Sequence, residues 1–420
     1  SPQKEALLTG LPEQVYNSQL STEFAMYDVL IVGAGPSGSQ LAYQLASQGH
    51  RTLVLEEHDR IGEPACCAGI IGRECLEAFS IPPSLVLTQA SSATFFPPSG
   101  KPLRLSKDTV QAYIIHRPSL DRSQAQRAQE AGAEYLTNSP VENLIPEAGC
   151  VRVQSRDKGR DWRARAVVIA SGAGSTLPQK LGLGKIEDLV IGAQAEVEVD
   201  GLKEVEIYFG RKIAPGFFAW LVPTSPGRGL AGLISRHRPG QYLQDFLGQL
   251  FRSGKITSPQ AEITYGGIPL RPRPRTWGPR IMVVGDAAGQ VKPTTGGGIY
   301  YSLIAAQTAA TVLHQALSTD DFSSKLFAGY ERGWRKQLGR ELQVGRWARK
   351  FYEKLSDPQI DRLFHFIESA GIPQAMLERE DFSFDWHAPS ILRALTHQPW
   401  PHLFQAMIHS AFPFMRRKRG

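Results

Sequence analysis

Gly33, Gly35 and Gly38 stand in a G-x-G-x-x-G spacing, and Glu56 lies eighteen residues beyond the last of them. Residues of these types at this spacing suit a dinucleotide. Gly33 permits a tight turn, Gly35 lets a pyrophosphate approach the backbone, and Gly38 lets a helix pack on a strand. The helix that follows turns its positive dipole end toward the phosphates. Glu56 is placed to accept hydrogen bonds from the ribose hydroxyls. A second group is thiol: Cys66 and Cys67 are adjacent, Cys75 is close by and Cys150 is remote. Neighbouring cysteines seldom bridge each other, so a secreted disulfide framework is not expected, and a reducing, cytoplasmic compartment is. No cysteine or histidine spacing suits zinc or an iron–sulfur cluster. His116 precedes Arg117 and is given no role.

The elements needed to position these residues are legible around them. Tyr27 to Val32 is a short apolar run of buried-strand type that leads straight into the glycines. A helical pattern follows through Gln48, and Arg51 to Glu56 is a second buried strand with the acid at its end. Beyond lie many short β-like runs, including Val205–Phe209, Phe217–Val222 and Gly229–Ile234. Two apolar strands return to the core, Ala166–Ala170 before Ser171-Gly172-Ala173-Gly174, and Arg280–Val284 before Gly285-Asp286. Gly172–Thr176 lacks the third glycine and the acid, so it reads as a turn. The expected fold is α/β, a Rossmann-type dinucleotide domain built from discontinuous segments (26–90, 110–180, 265–320) with an inserted antiparallel β substrate domain (91–109, 181–264). Residues 321–420 are expected to be mostly helical, with Pro358, Pro373, Pro389, Pro399 and Pro401 as breaks.

Of the 420 residues, 42% are hydrophobic and 21% charged, an ordinary globular balance with enough material for a sizeable core. No run of 18 apolar residues occurs, so no membrane-spanning helix is expected. Residues 1–25 lack the features of a secretory signal and read as a leader or cloning remnant before Met26. The net charge of +7 is uneven: from Glu331 onward 15 Lys/Arg face 10 Asp/Glu, ending in Arg416-Arg417-Lys418-Arg419. Such a tail suits peripheral contact with an anionic lipid surface or an acidic partner protein, or is a solvated end. No basic and aromatic interleaving accompanies it, so nucleic acid is not expected.

Four separated blocks resemble the flavoprotein family that includes para-hydroxybenzoate hydroxylase and the geranylgeranyl reductases. They are the glycine fingerprint, Arg117-Pro118-Ser119-Leu120-Asp121, Gly285 through Pro293 with Asp286, and Thr295-Gly296-Gly297-Gly298-Ile299. The resemblance implies FAD as cofactor. It places Arg117 against FAD, Asp286 on the ribityl chain, and the helix opening at Gly297-Gly298-Ile299 against the flavin, where negative charge develops on reduction. Ile61 to Ile70 is similar to the I-G-x-P-x-x-C-x-G segment of geranylgeranyl reductases. On that alignment Cys67, not Cys66, lies near the isoalloxazine, and Glu57, Ala68, Gly69, Ile71 and Val141 contact FAD. Phe218-Ala219-Trp220-Leu221-Val222-Pro223 resembles the reductases' Y-x-W-x-F-P block, whose aromatics line a prenyl pocket.

The function so implied is saturation of C=C bonds in an isoprenoid chain by hydride transfer from reduced flavin. An unactivated alkene needs a proton as well as the hydride, in a dry apolar site. Phe217, Phe218 and Trp220, with Tyr208 and Phe209, either line that site or form ordinary core of the inserted sheet. Cys67 either positions or protonates the substrate, or is a small buried residue under the flavin. Phe218 replaces the block's tyrosine and removes a hydroxyl. Ser171-Gly172 replaces the usual Asp-Gly, which weakens a hydroxylase assignment. The alternatives are a flavin-dependent monooxygenase or halogenase and a non-catalytic FAD protein that binds prenyl lipid or pigment. The halogenases' lysine finds no counterpart, since no lysine lies between Lys4 and Lys101. The electron donor is NADPH or an acidic ferredoxin.

Overall fold

The computed structural model describes residues 26–156, 159–369, 371 and 383–396. The apolar run Tyr27–Val32 lies inside an eight-stranded sheet, parallel to Asp161–Ile169 on one side and to Thr52–Leu55 on the other. Ile281–Val283 extends the sheet beyond Asp161–Ile169, and Glu134–Leu136 extends it beyond Thr52–Leu55, both in parallel. Alternation along the strand feeds two cores. Val29 and Ile31 pack with Leu41, Leu45 and Leu313 of the covering helices, while Leu30 and Val32 pack with Leu53, Leu55 and Val153. The helices on the first face are Pro36–Ser47, Arg117–Glu130 and Ile299–Thr319. Each of the first two carries proline in its first turn, where the missing N–H has no helical partner to lose.

A seven-stranded sheet forms the second layer, in the order Ile263–Pro269, Leu189–Glu198, Arg228–Ser235, Phe218–Ser225, Val205–Phe209, Ser92–Phe96, Leu103–Ser106. Its pairs are antiparallel except Val205–Phe209 with Ser92–Phe96. The helix Pro239–Arg252 covers one face with Leu243, Phe246, Leu247 and Leu250, a spacing of three and four that makes one apolar stripe. Each of those side chains contributes roughly 1.5–3 kcal/mol by its burial. With that face sealed, the opposite face is left to line a site. A small three-stranded sheet, Ile70–Gly72, Ala112–Ile115 and Val86–Ala90, lies between the two layers in sequence.

The C-terminal region begins with the helices Ser324–Glu353 and Asp357–Ser369 and resumes with Ala388–Thr396. Pro358 and Pro389 do not break helices. Each sits at the second position of one, where its fixed φ is already helical. Pro373, Pro399 and Pro401, the basic end Arg416–Arg419 and residues 1–25 lie outside the described residues. Among the described residues no helix is long and apolar enough to cross a membrane, and no cluster of His, Cys, Asp and Glu is arranged to hold a metal ion.

Candidate active site

One continuous cavity of about 1220 Å³ runs from the glycine turn to the uncovered face of the second sheet. At its first end, Gly33 has a φ of +106°, and a Cβ there would stand 2.6 Å from the Ala170 carbonyl oxygen. A Cβ on Gly38 would stand 2.0 Å from the Gly33 carbonyl oxygen, whereas one on Gly35 would meet nothing within 4 Å. Two glycines are therefore demanded by close packing, and the middle one opens the backbone to the cavity, the arrangement a pyrophosphate needs. Gly33 and Gly35 line the cavity, whereas Gly38 does its work behind the wall.

Glu56 sits where the second strand ends. Its carboxylate accepts from the Ala34 amide at 2.8 Å and from the His58 amide at 3.1 Å, so turn and strand are locked together. Glu57 and Val141 line the same end of the cavity. So do Gly172 to Thr176, read from sequence only as a turn. The turn follows the strand Asp161–Ile169, and parallel pairing with Tyr27–Val32 brings both strand ends to one edge. Ligands in open α/β sheets bind at that edge.

In the middle, Arg117 donates to both oxygens of Asp121, Nε to Oδ1 at 3.1 Å and Nη2 to Oδ2 at 2.9 Å. Burial pulls the guanidinium's pKa down, but the Asp121 carboxylate outweighs it and the net direction is up. Arg117 therefore stays charged beside the cavity with N–H groups to spare. Asp286 also lines the cavity. Burial pushes its carboxyl up, with the Arg117 charge opposing, and no group of the described chain hydrogen-bonds to it. The buried Ser171 hydroxyl likewise has no partner. A cradle shaped by glycines, a desolvated carboxylate and a fixed cation fit the pyrophosphate and polyol of FAD. The helix Ile299–Thr319 opens at Gly297, Gly298 and Ile299, all on the cavity wall. Its first-turn N–H groups have no intrahelical acceptors. Gly285 and Pro293 are set back from the wall and shape the loop.

Cys67, Ala68, Gly69 and Ile71 form the next stretch of wall. The Gly69 amide donates to Cys67 Sγ at 3.4 Å. Cys66 lines the cavity too, but its thiol is engaged by the second sheet: it lies 3.6 Å from the Thr264 carbonyl and 3.8 Å from that of Gly192, and burial pushes it up to about 11. Cys66 thus tethers the loop to the second sheet. Gln194, which no motif marks, is only 5% exposed and donates Nε2 to the Cys67 carbonyl at 3.3 Å, while its Oε1 has no partner.

The far end is apolar. Phe218 and Trp220 face the cavity with Phe209, Ile207 and Phe95 from neighbouring strands. Ring centroids are 6.3 Å apart for Phe209–Phe218 and 6.0 Å for Phe218–Trp220. Phe217 and Tyr208 do not share this face. Phe217 is 1% exposed, with the Arg349 guanidinium 3.5 Å above its ring, and Tyr208 stacks on Phe96 at 4.7 Å. Side-chain alternation sends Tyr208 to the opposite side from Phe209, and Phe217 precedes the strand that begins at Phe218.

Three further residues stand on the wall: Lys292, which lies inside the Gly285–Pro293 block but is given no role there, and Asp385 and His387, which no motif marks. His387 Nε2 lies 2.8 Å from the Phe384 carbonyl, which only accepts, so the proton is on Nε2. Nδ1 then accepts from the Thr294 hydroxyl at 2.8 Å. Burial, with Lys292 beside it, pushes the ring down to about 4, so it is neutral.

Such a fold, with this cradle opening into an apolar chamber, defines an FAD-dependent oxidoreductase. Residues 27–204 match the family model described as pyridine nucleotide-disulphide oxidoreductase. The digeranylgeranylglycerophospholipid reductase of Methanocaldococcus jannaschii is 32% identical over 352 residues, covering 80% of this chain and 90% of that protein. The second enzyme of that name from Methanothermobacter thermautotrophicus is 33% identical over 364 residues, covering 82% and 93%. A geranylgeranyl bacteriochlorophyll reductase-like protein from Thermoplasma acidophilum superposes with a TM-score of 0.80 at 26% identity, covering 91% and 98%. The chain belongs to the geranylgeranyl reductase family of FAD-dependent oxidoreductases.

Proposed function

We infer that this protein saturates C=C bonds of a geranylgeranyl-type isoprenoid chain. The observation that carries the reading is the continuity of one cavity, polar and glycine-lined at one end and aromatic at the other. FAD, when bound, supplies the hydride that an alkene carbon accepts. Gly33, Gly35 and the unpaired carboxylate of Asp286 hold it, with Arg117 as fixed cation. Phe95, Phe209, Phe218 and Trp220 exclude water and bind the prenyl chain by its apolar surface. The second alkene carbon needs a proton, and the chain offers it where Cys67 and Gln194 meet the chamber. Cys67 either holds that proton itself or shapes the place from which it arrives. Cys66 is tied to the sheet and serves structure. The electron donor is NADPH or an acidic ferredoxin, the latter suited to the net charge of +7. A long-chain lipid substrate and the basic end Arg416–Arg419 together support peripheral contact with an anionic membrane surface.

Anaerobic photoreduction of the purified protein, followed by geranylgeranyl diphosphate or digeranylgeranylglycerophospholipid, tests this. The expected result is flavin reoxidation without oxygen and a product that gains two hydrogens per bond reduced. Flavin that stays reduced with both substrates until air enters contradicts the reading.

A further inference from the structure

The cavity wall contains a buried ion pair that neither the cradle nor the chamber accounts for. Lys292 Nζ lies 2.8 Å from Asp385 Oδ1, with the side chains 6% and 2% exposed. Lys292 belongs to the loop that leads into the helix at Ile299. Its amide donates to the Gly297 carbonyl at 3.0 Å and its carbonyl accepts from the Gly296 amide at 2.9 Å, so it closes that loop through the main chain. Its side chain reaches out of the loop to the C-terminal segment, where it also donates to the Phe384 carbonyl at 3.3 Å. That segment is itself fixed on three sides. The Tyr301 hydroxyl donates to the Asp385 carbonyl at 3.3 Å, and Trp386 Nε1 to Glu74 at 2.7 Å. The His387 and Ala388 amides donate to Glu341 Oε2 at 3.0 and 2.9 Å.

A buried pair contributes little net stability, because desolvation of the two charges offsets their attraction. Two observations point to positioning instead. Both residues line the cavity beside Gly297 and Ile299. Gly72 passes them with φ −77° and ψ 166°, angles any residue adopts. Yet a Cβ on Gly72 would stand 2.1 Å from Asp385 Oδ2 and 2.7 Å from its Cγ. The demand for glycine at position 72 therefore comes from the Asp385 carboxylate.

We propose that Asp385 is a positioning residue for the FAD site: through Lys292 it holds the 292–298 loop in the shape that receives the cofactor. The proposal rests on reading the cavity as the FAD site, and FAD affinity tests it without any substrate. Four proteins are compared with wild type: Gly72→Ala, Asp385→Ala, the two combined, and Lys292→Met with Asp385→Leu. FAD dissociation constants are read from flavin fluorescence, and stability from thermal unfolding of the apoproteins. Gly72→Ala and Asp385→Ala are each expected to weaken FAD about 10- to 100-fold, the scale of a lost hydrogen bond to a charged group. Combining them relieves the clash, so thermal stability returns toward that of Asp385→Ala alone while FAD affinity stays low. The Lys292→Met, Asp385→Leu protein leaves no unpaired buried charge and keeps the test open if Asp385→Ala fails to fold; it is expected to be stable and weak in FAD. Wild-type FAD affinity in that protein, or in the Gly72→Ala, Asp385→Ala combination, overturns the proposal. A wild-type protein that binds no FAD at all overturns the reading beneath it, whereas failure of alkene reduction touches neither.

Discussion

Replacing Phe217 and Phe218 by alanine, one at a time, separates packing from chemistry in two adjacent aromatics. Phe217 is 1% exposed and sandwiched under the Arg349 guanidinium at 3.5 Å. Truncating a buried phenylalanine costs roughly 3–5 kcal/mol, partly for the void left behind. Here the loss is compounded, because Arg349 is itself buried, its pKa is pushed down to about 10 by that burial, and its Nε has no partner. Losing a desolvated cation–π contact adds about 2 kcal/mol. Phe218 borders a cavity that already exists. Its removal enlarges that space without closing off a new void, so the cavity contribution is absent and the loss stays below about 2 kcal/mol. For catalysis the order reverses: Phe218→Ala is expected to lower kcat/KM for a prenyl substrate by about tenfold, equivalent to about 1.4 kcal/mol. Phe217→Ala, assayed where it is folded, is expected to change it little. Urea denaturation midpoints and anaerobic steady-state rates measure both. A stable, inactive Phe217→Ala beside an unstable, active Phe218→Ala would refute the assignment of faces.

Cys67→Ser keeps bound FAD, judged by the flavin spectrum, yet loses most alkene reduction; full activity removes the thiol from the mechanism. His387 has a folded pKa of about 4 against an ordinary 6.5, so the folded state binds fewer protons between those values. Its contribution to stability is therefore complete above pH 6.5 and is lost as pH falls through 4. Urea midpoints at pH 7 and pH 5 should diverge more for wild type than for His387→Gln, and equal divergence counts against a buried neutral ring.

The sequence discloses interactions that are local and hides those that depend on distant closure. Gly33, Gly35, Gly38 and Glu56 are legible because turn, helix and strand demand them within one βαβ unit. The aromatic block is half legible: residue type marks Phe217, Phe218 and Trp220 as lining or core, but which of the two each one is depends on where the strand starts, and it starts at Phe218, one residue later than the run read from sequence. Gly172–Thr176 is correctly a turn. Its place on the cavity wall follows from parallel pairing of Asp161–Ile169 with Tyr27–Val32, across more than a hundred residues of chain. Gln194 sits in a strand with no motif, and its significance comes from the Cys67 carbonyl above it.

Asp385 shows why the C-terminal region belongs to the argument about the site. It lies 93 residues from Lys292 with three helices between them among the described residues, so no spacing rule connects them. Neither residue is intelligible alone: a buried charge without a partner is costly, so each side chain calls for the other. Together they are a charged pair in a dry place, with one partner on the loop that opens the helix Ile299–Thr319 and the other on a segment pinned to Glu74, Tyr301 and Glu341. A helix start with free N–H groups can stabilise charge developing on a bound group only if it stays aimed at it. Gly296, Gly297 and Gly298, which lead into that helix, have no side chains of their own to keep that aim. The chain supplies the missing rigidity from its other end, so Asp385 is expected to matter most where the cofactor is weakly held and least where it is saturating.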